Sequence, residues 1–306
     1  MALKEVPTLD LNRFDTDREA FVAEVGEAYE VFGFCCFSNH GIPQALIHAA
    51  YEDFRDFFAL PEDVKKQYHL EGKGGARGYT PFKVETAKDQ KLADLKEFWH
   101  VGPEGHGTLE NVWPTEVPLF RSHATALYQS MEAVATRILA SMALHIGLPA
   151  DYFRTRVDQG DTILRALHYP PVRPEDLPAV RAGAHEDIDL ITLLVGATDS
   201  GLELLTKEKT WLPIKAQENT LIVNVGDMLQ RLTNHVYRST THRVVNPEGS
   251  QTTKPRYSMP FFVHPNADFL IETLPQCITP DNPNQYPEPI TSQDFLNQRL
   301  KEIKLK

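Results

Sequence analysis

The chain has 306 residues, of which 42% are hydrophobic and 24% are charged. These fractions are those of an ordinary globular protein and exclude intrinsic disorder and collagen-like structure. The 31 lysine and arginine residues are outnumbered by 42 aspartate and glutamate residues, so the net charge is −11. Because an acidic surface repels phosphate groups, we expect neither a nucleic acid nor an anionic membrane as a partner.

Two features of the sequence predict a soluble, cytoplasmic protein. No apolar run approaches the ~18 residues that cross a bilayer, and the first residues lack the apolar segment of a signal peptide. The three cysteines, Cys35, Cys36 and Cys277, are too few for a disulfide framework and indicate reduced thiols. We expect Cys35 and Cys36 to be buried on opposite faces of one strand. The sequence is compatible with a monomer.

The first 150 residues predict helices around a few strands. Val6–Leu11 alternates as a short edge strand does, and Phe34–Phe37 is typical of a buried strand. Thr16 and Glu19 have the spacing of a capping box at the start of a helix that Gly33 ends. Further helices are predicted after Pro43, over residues 61–68 and, longest of all, over residues 119–146.

From residue 161 onward the pattern becomes one of short strands separated by turns. The predicted strands are Thr162–His168, Ile188–Val195, Gly201–Leu205, Thr210–Pro213, Thr220–Val225, Val236–Val245 and Tyr257–His264. Such a series predicts a β-barrel or jelly roll. A Pro-rich stretch over residues 275–291 precedes a last helix that begins at Ser292. No linker divides the chain, so we expect one catalytic domain over residues 1–306, with parts 1–150, 151–275 and 276–306.

Three side chains in the β region have the chemistry of a metal site. His185 and Asp187 are two residues apart, and in an extended segment such residues point to the same face. His242 follows in a separate β-rich segment. Two histidines and one carboxylate form the facial triad of non-haem Fe(II) oxygenases, which leaves coordination positions open for an organic acid and O₂. No cysteine lies nearby to favour zinc.

A second group of side chains could bind an organic acid. Arg256 and Ser258 share one face of a strand, and a guanidinium with a hydroxyl suits a carboxylate. The alternative is a solvated strand face with Tyr257 directed inward. The hydroxyl of Tyr169 could reach the same acid, although a buried aromatic residue would look the same in sequence.

The chain resembles the iron(II)- and 2-oxoglutarate-dependent dioxygenases of the isopenicillin N synthase-like group over nearly its whole length. The resemblance lies in Gly33-Phe34, Asn39-His40-Gly41-Ile42, Asp94–Phe98, Asn111–Pro114 and Asn224–Asp227, together with the ordered series His185, Asp187, His242, Arg256 and Ser258. One departure is Leu167, where plant members often carry asparagine. The resemblance implies an α+β fold with a mainly β core: a double-stranded β-helix, or jelly roll, flanked by N-terminal helices and a long central helix.

The resemblance also implies the chemistry. His185, Asp187 and His242 would bind Fe(II), and Arg256, Ser258 and Tyr169 would bind 2-oxoglutarate. A small metabolite would be oxidised with O₂, most simply by hydroxylation, with release of succinate and CO₂. Candidate substrate contacts are Arg77, Tyr79, Phe82, Phe98, Phe262 and His264, and Arg77 would suit a carboxylated substrate.

Three alternatives stay open at this point. An oxidase of the same fold could use no 2-oxoglutarate and catalyse desaturation or ring closure. A non-catalytic barrel could bind a metal or small ligand. A halogenase usually lacks the carboxylate ligand, so the presence of Asp187 favours hydroxylation.

Overall fold

A computed structural model describes residues 4–73, 75–85, 92–107, 109–177, 179–195, 201–214, 217, 219–246 and 254–302. The elements of the first half, in chain order, are β1 Thr8–Asp10, α1 Arg13–Thr16, α2 Arg18–Val31, β2 Phe34–Ser38, α3 Gln44–Phe58, α4 Glu62–Lys66, β3 Gly78–Thr80, β4 Glu97–Val101 and α5 Phe120–His145. Within the described residues, no helix is both long enough and apolar enough to cross a membrane.

The second half is mostly β-structure. Its elements are α6 Arg154–Val157, β5 Ile163–Tyr169, β6 Ala182–His185, β7 Ile191–Val195, β8 Leu202–Leu205, β9 Trp211–Pro213, β10 Leu221–Val225, α7 Asp227–Leu232, β11 His242–Val244, β12 Arg256–Val263, β13 Leu270–Ile271, β14 Ile290–Thr291 and α8 Ser292–Glu302.

Two sheets build the jelly roll. The larger has the order β1-β2-β10-β7-β12-β5-β4-β3, and the smaller has the order β6-β11-β8-β9. All their pairings are antiparallel except that of β1 with β2, which places β1 at an edge of the larger sheet as predicted. This is the predicted fold, a mainly β core with flanking helices.

The larger sheet has an apolar core on each face. Its outer face packs against α2, α3 and α5, whereas its inner face meets the smaller sheet in a second cluster that includes Phe34 and Leu204. The alternation of β2 puts Cys35 in the outer core and Cys36 in the inner one, so both lie buried as predicted. The predicted long helix is present and ends before Gly147, whose φ of 76° favours glycine.

Several sequence-based boundaries were wrong. Thr16 does not cap α2, because the short helix α1 ends there and its hydroxyl donates to the carbonyl of Asn12. The predicted strand Val236–Val245 is reduced to β11. Residues 236–241 are irregular and follow a turn after α7 in which Asn234 and His235 have positive φ angles. Strands β3, β4 and β6 and helix α7 were not predicted.

We expect Phe57 to be essential for the stability of the outer core. Its buried ring contacts Phe58, Tyr68, Tyr79, Trp99 and Phe120. Phe57→Ala should lower the free energy of unfolding by about 3–5 kcal/mol, because it removes buried surface and leaves a cavity. Leu119→Ala, at a 57% exposed side chain, is the control and should change it by less than about 0.5 kcal/mol. Denaturant unfolding of both variants checks the difference; equal losses would contradict it.

Candidate active site

Two histidines meet across neighbouring strands of the smaller sheet. His185 is the last residue of β6 and His242 the first of β11, and the two residues are directly paired. Their ring centroids are 4.4 Å apart. Asp187 follows two residues after His185, so its carboxylate returns to the same side of the chain. The sequence-predicted triad is therefore brought together.

The geometry of the triad fits one metal ion. The Nε2 atoms of His185 and His242 lie 3.9 Å and 3.8 Å from oxygens of Asp187. Two ligands about 2.1 Å from one ion can be separated by at most ~4.2 Å, so each pair is close enough to share it. The group of three is the candidate metal cluster among the described residues.

Backbone carbonyls fix the orientation of both imidazoles. Nδ1 of His185 donates to the carbonyl of Gly183 at 2.7 Å, and Nδ1 of His242 donates to that of Thr240 at 3.1 Å. Each Nε2 is therefore left without a proton and faces Asp187, as a metal ligand requires. Burial and the neighbouring His242 lower the pKa of His185 to about 4, so its ring is neutral at physiological pH.

Asp187 is a buried carboxylate that keeps its charge. Burial by itself would raise its pKa, but the two neighbouring imidazoles and two hydrogen bonds outweigh burial and lower the pKa. The hydrogen bonds come from Thr192 Oγ1 at 2.6 Å and Asn224 Nδ2 at 2.7 Å. Sequence reasoning missed both donors. Thr192 is the lone polar residue of β7, and Asn224 is the lone polar residue of β10. A polar residue isolated in an apolar strand usually has a buried hydrogen-bond partner, and this was the sequence signal that could have identified them.

Arg256 is a buried guanidinium without an ionic partner. It begins β12 directly opposite Tyr169 at the end of β5, and its Cζ lies 5.1 Å from the tyrosine ring centroid. Nη1 donates to Ser258 Oγ at 3.3 Å, while Nε has no hydrogen-bond partner. No carboxylate among the described residues lies within ion-pair distance of Arg256, which is 1% exposed. The solvated-face alternative is therefore wrong.

A fully buried guanidinium with no counter-charge among the described residues could bind an anion. Burying a charge without a counter-charge is costly, and a ligand with a negative group would remove that cost. Tyr169 is buried, and its ring lies beside the Arg256 guanidinium. These residues fit one carboxylate of a dicarboxylic acid. Arg77, which we expected as a contact for a carboxylated substrate, is buried in an ion pair with Asp161.

A jelly roll with two histidines and one carboxylate on its inner face is the arrangement of non-haem Fe(II) oxygenases. Comparison with known families agrees. Residues 6–116 match the N-terminal model of the non-haem dioxygenase in morphine synthesis, and residues 160–265 match the 2OG-Fe(II) oxygenase superfamily. The chain belongs to this superfamily. It is a 2-oxoglutarate-dependent dioxygenase, an oxidoreductase whose cofactors are Fe(II) and 2-oxoglutarate.

Individual relatives span nearly the whole chain. The proline hydroxylase buaE of Petromyces alliaceus is 32% identical over 97% of this chain and 98% of its own. A solved 2OG-Fe(II) oxygenase family protein from Caulobacter crescentus is 46% identical, with a TM-score of 0.89, over 97% and 99% of the two chains. A full-length Neurospora crassa protein, solved in complex with α-KG, is 30% identical, with a TM-score of 0.88, over 97% of this chain and 95% of its own.

We predict that Asp187→Ala abolishes iron binding without unfolding the protein. Asp187 is the only anionic group of the triad, and loss of an outer-shell partner alone typically weakens metal binding 10–100-fold. We expect a loss of more than about 100-fold, read as iron per chain after desalting. Glu186→Ala is the matched control, since this adjacent carboxylate binds Thr241 instead. Full iron occupancy in Asp187→Ala would remove Asp187 from the metal site.

Proposed function

We propose that this dioxygenase hydroxylates a small organic molecule at an iron ion held by His185, Asp187 and His242. The converging Nε2 and carboxylate oxygens support this assignment, as do the carbonyls that fix both imidazoles. Three ligands on one face leave the opposite face for 2-oxoglutarate and O₂. The carboxylate of Asp187 occupies the position that a halide would need, which supports hydroxylation over halogenation.

We further propose that Arg256 holds the distal carboxylate of 2-oxoglutarate, with help from Ser258 and Tyr169. The single observation that carries this proposal is the burial of Arg256 without a carboxylate partner. A planar guanidinium can bind a carboxylate through two parallel hydrogen bonds, and the two hydroxyls offer further donors. The contact between Arg256 and the distal carboxylate would therefore orient 2-oxoglutarate, with its 2-oxo acid group directed to the metal.

The residues of the site contribute geometry, while the cofactors contribute oxidising power. When bound, Fe(II) and 2-oxoglutarate supply an oxidant from O₂, with loss of CO₂ and formation of succinate, and one oxygen atom enters the substrate. Thr192 and Asn224 hold Asp187 in place, so the ligand face cannot rotate.

We propose that the chain acts as one catalytic unit. Strands β1 to β4 come from the first 150 residues, yet they complete the same sheet as β5, β7, β10 and β12. The C-terminal part is tied to the core through Arg299 of α8, which pairs with Asp227 of α7. A cytoplasmic location is also a proposal, supported by three buried, unpaired cysteines.

Arg256→Ala should weaken 2-oxoglutarate binding and leave iron binding nearly unchanged. Loss of one partner from a buried charge pair costs about 2–5 kcal/mol. Arg256→Lys should also be impaired, because an ammonium group cannot reproduce the two-pronged contact. Titration of 2-oxoglutarate into the Fe(II)-loaded protein under argon gives the affinity. Arg121→Ala, at an exposed arginine, is the control. An unchanged affinity in Arg256→Ala would point to another anchor.

Hydroxylation itself is tested by the origin of the product oxygen. Incubated with a panel of small metabolites under ¹⁸O₂, the wild-type protein should release succinate and incorporate one ¹⁸O atom into an alcohol. Chelation of iron should stop both, and Asp187→Ala should fail in both. A product that lacks two hydrogens and carries no label would instead identify desaturation or ring closure.

A further inference from the structure

A charged side chain lies on the inner wall of the jelly roll, apart from the residues assigned above. Arg165 is in the middle of β5, on the same face as Leu167 and Tyr169. Its Cα is four residues from Tyr169, or about 13 Å along the strand. Its side chain is 17% exposed, so it is accessible from within an otherwise buried wall. Its guanidinium is thus a separate feature from the Arg256 anchor.

The guanidinium of Arg165 is held in one orientation. Nε donates to His100 Nε2 at 2.5 Å, and Nη1 donates to Glu85 at 3.2 Å. Its Cζ lies 4.4 Å from the ring centroid of Phe98 and 5.1 Å from that of Phe262. Its Nη2 amino group has no hydrogen-bond partner among the residues that the structure describes. A rigidly held donor with an unused amino group is suited to recognise a ligand.

This arginine is connected to the metal triad through one intervening strand. Phe262 of β12 is directly opposite Thr192 of β7, and the hydroxyl of Thr192 binds Asp187. The ring that flanks Arg165 is therefore one strand away from the residue that holds a metal ligand.

The charges around Arg165 are already balanced. Lys96 Nζ lies 3.0 Å from Glu85 and 2.9 Å from Asp94, so two cations share two carboxylates. The carboxylates raise the pKa of Lys96 despite its burial and keep it charged. A carboxylate entering this region would bring a negative charge without a free counter-charge, which is unfavourable in a buried site. An uncharged acceptor has no such penalty.

The cluster formed by Arg165, Lys96, Glu85 and Asp94 is also joined to the proposed metal ligand His185 through the backbone of Gly183. Asp94 accepts a hydrogen bond from the Gly183 amide at 3.0 Å, and the Gly183 carbonyl accepts from His185. The cluster therefore fixes the Arg165 side chain and the His185 ring in one frame.

We infer that Arg165 is a substrate-recognition residue, and that the substrate presents to it an uncharged hydrogen-bond acceptor such as a carbonyl oxygen. That oxygen would accept from Nη2, beside the Phe98 and Phe262 rings that hold the guanidinium. This inference rests on the proposed function and names the substrate class of the same site. Arg77, the arginine expected from the sequence, has a fully buried side chain, whereas that of Arg165 is partly exposed.

The test measures binding under argon, in protein loaded with Fe(II) and 2-oxoglutarate, so that no turnover occurs. Calorimetric titrations use thymine, uracil and 2-pyrrolidinone as uncharged carbonyl rings, and L-proline and benzoate as carboxylates. We expect wild-type protein to bind at least one uncharged ring more tightly than either carboxylate. Arg165→Lys and Arg165→Gln should bind that ring about 10–100-fold more weakly, as expected for loss of a hydrogen bond from a charged donor.

Controls separate recognition from folding. Arg121 also pairs with a glutamate, Glu104, and lies over an aromatic ring, Trp113, but it is on the surface. Arg121→Lys and Arg121→Gln should bind the ring as the wild type does. The Arg165 variants should still bind Fe(II) and 2-oxoglutarate, which shows that they are folded, because no hydrogen bond or ring contact among the described residues joins Arg165 directly to the triad or to Arg256.

Three results would overturn the inference alone: unchanged ring affinity in both Arg165 variants, binding of carboxylates only, or no binding of any uncharged ring by a wild-type protein that still forms succinate. A wild-type protein that bound no 2-oxoglutarate would overturn the proposed function, and this inference with it. The 2-oxoglutarate titration is therefore run first.

Discussion

The structure is organised around the buried carboxylate of Asp187. The donors Thr192 and Asn224 come from two adjacent strands of the larger sheet, and the Asp187 carbonyl accepts from the first amide of α7 at 2.8 Å. Both imidazoles come from the smaller sheet. A single charged group therefore joins the two sheets of the jelly roll. The imidazoles and the two hydrogen bonds keep the carboxylate charged, but no lysine or arginine among the described residues pairs with it, so a metal ion would supply the missing counter-charge.

Arg256 is the counterpart of Asp187 with the opposite sign. Each is a buried charge whose neighbours donate or accept hydrogen bonds but do not neutralise it. Such groups are unfavourable in a buried site unless a ligand neutralises them. In the proposed function, a cation at one and a dicarboxylate at the other would remove both penalties, so ligand binding would stabilise the folded chain. The polar cluster at Arg165 differs, since its charges are already paired within the protein.

The sequence predicted the triad because its signal is local and chemical. A His-x-Asp pair on an extended segment needs only the two-residue period of a strand to converge, and His242 completes a known ligand set. The supporting residues carry no such signal. Thr192 and Asn224 acquire their roles only when β7 and β10 pair, at positions directly opposite each other. Arg165 likewise becomes a site residue only through Glu85 and His100 of neighbouring segments.

The missed strands have equally specific reasons. The sequence of β6 is Ala-Gly-Ala-His, whose small residues have little strand preference, and the segment is extended because β11 pairs with it. In β4 all five side chains are buried, including Glu97, which pairs with Lys65 and His168. A buried strand is usually predicted from a run of apolar residues, and the charged Glu97 interrupts that run in β4. In both cases tertiary contacts decide a structure that local preference does not.

The two faces of β12 explain why helices far from the metal still determine the site. Met259, Phe261 and Val263 pack in the outer core, while Arg256 and Ser258 point inward. Because side chains alternate strictly, a shift of one residue would bury the guanidinium among helices and turn the apolar side chains toward the metal. The apolar contacts with α5 therefore fix the register of β12. That register, in turn, brings Arg256 opposite Tyr169 and Phe262 opposite Thr192, so outer packing sets the positions of the proposed 2-oxoglutarate anchor Arg256 and of the Phe262 ring beside Arg165 together.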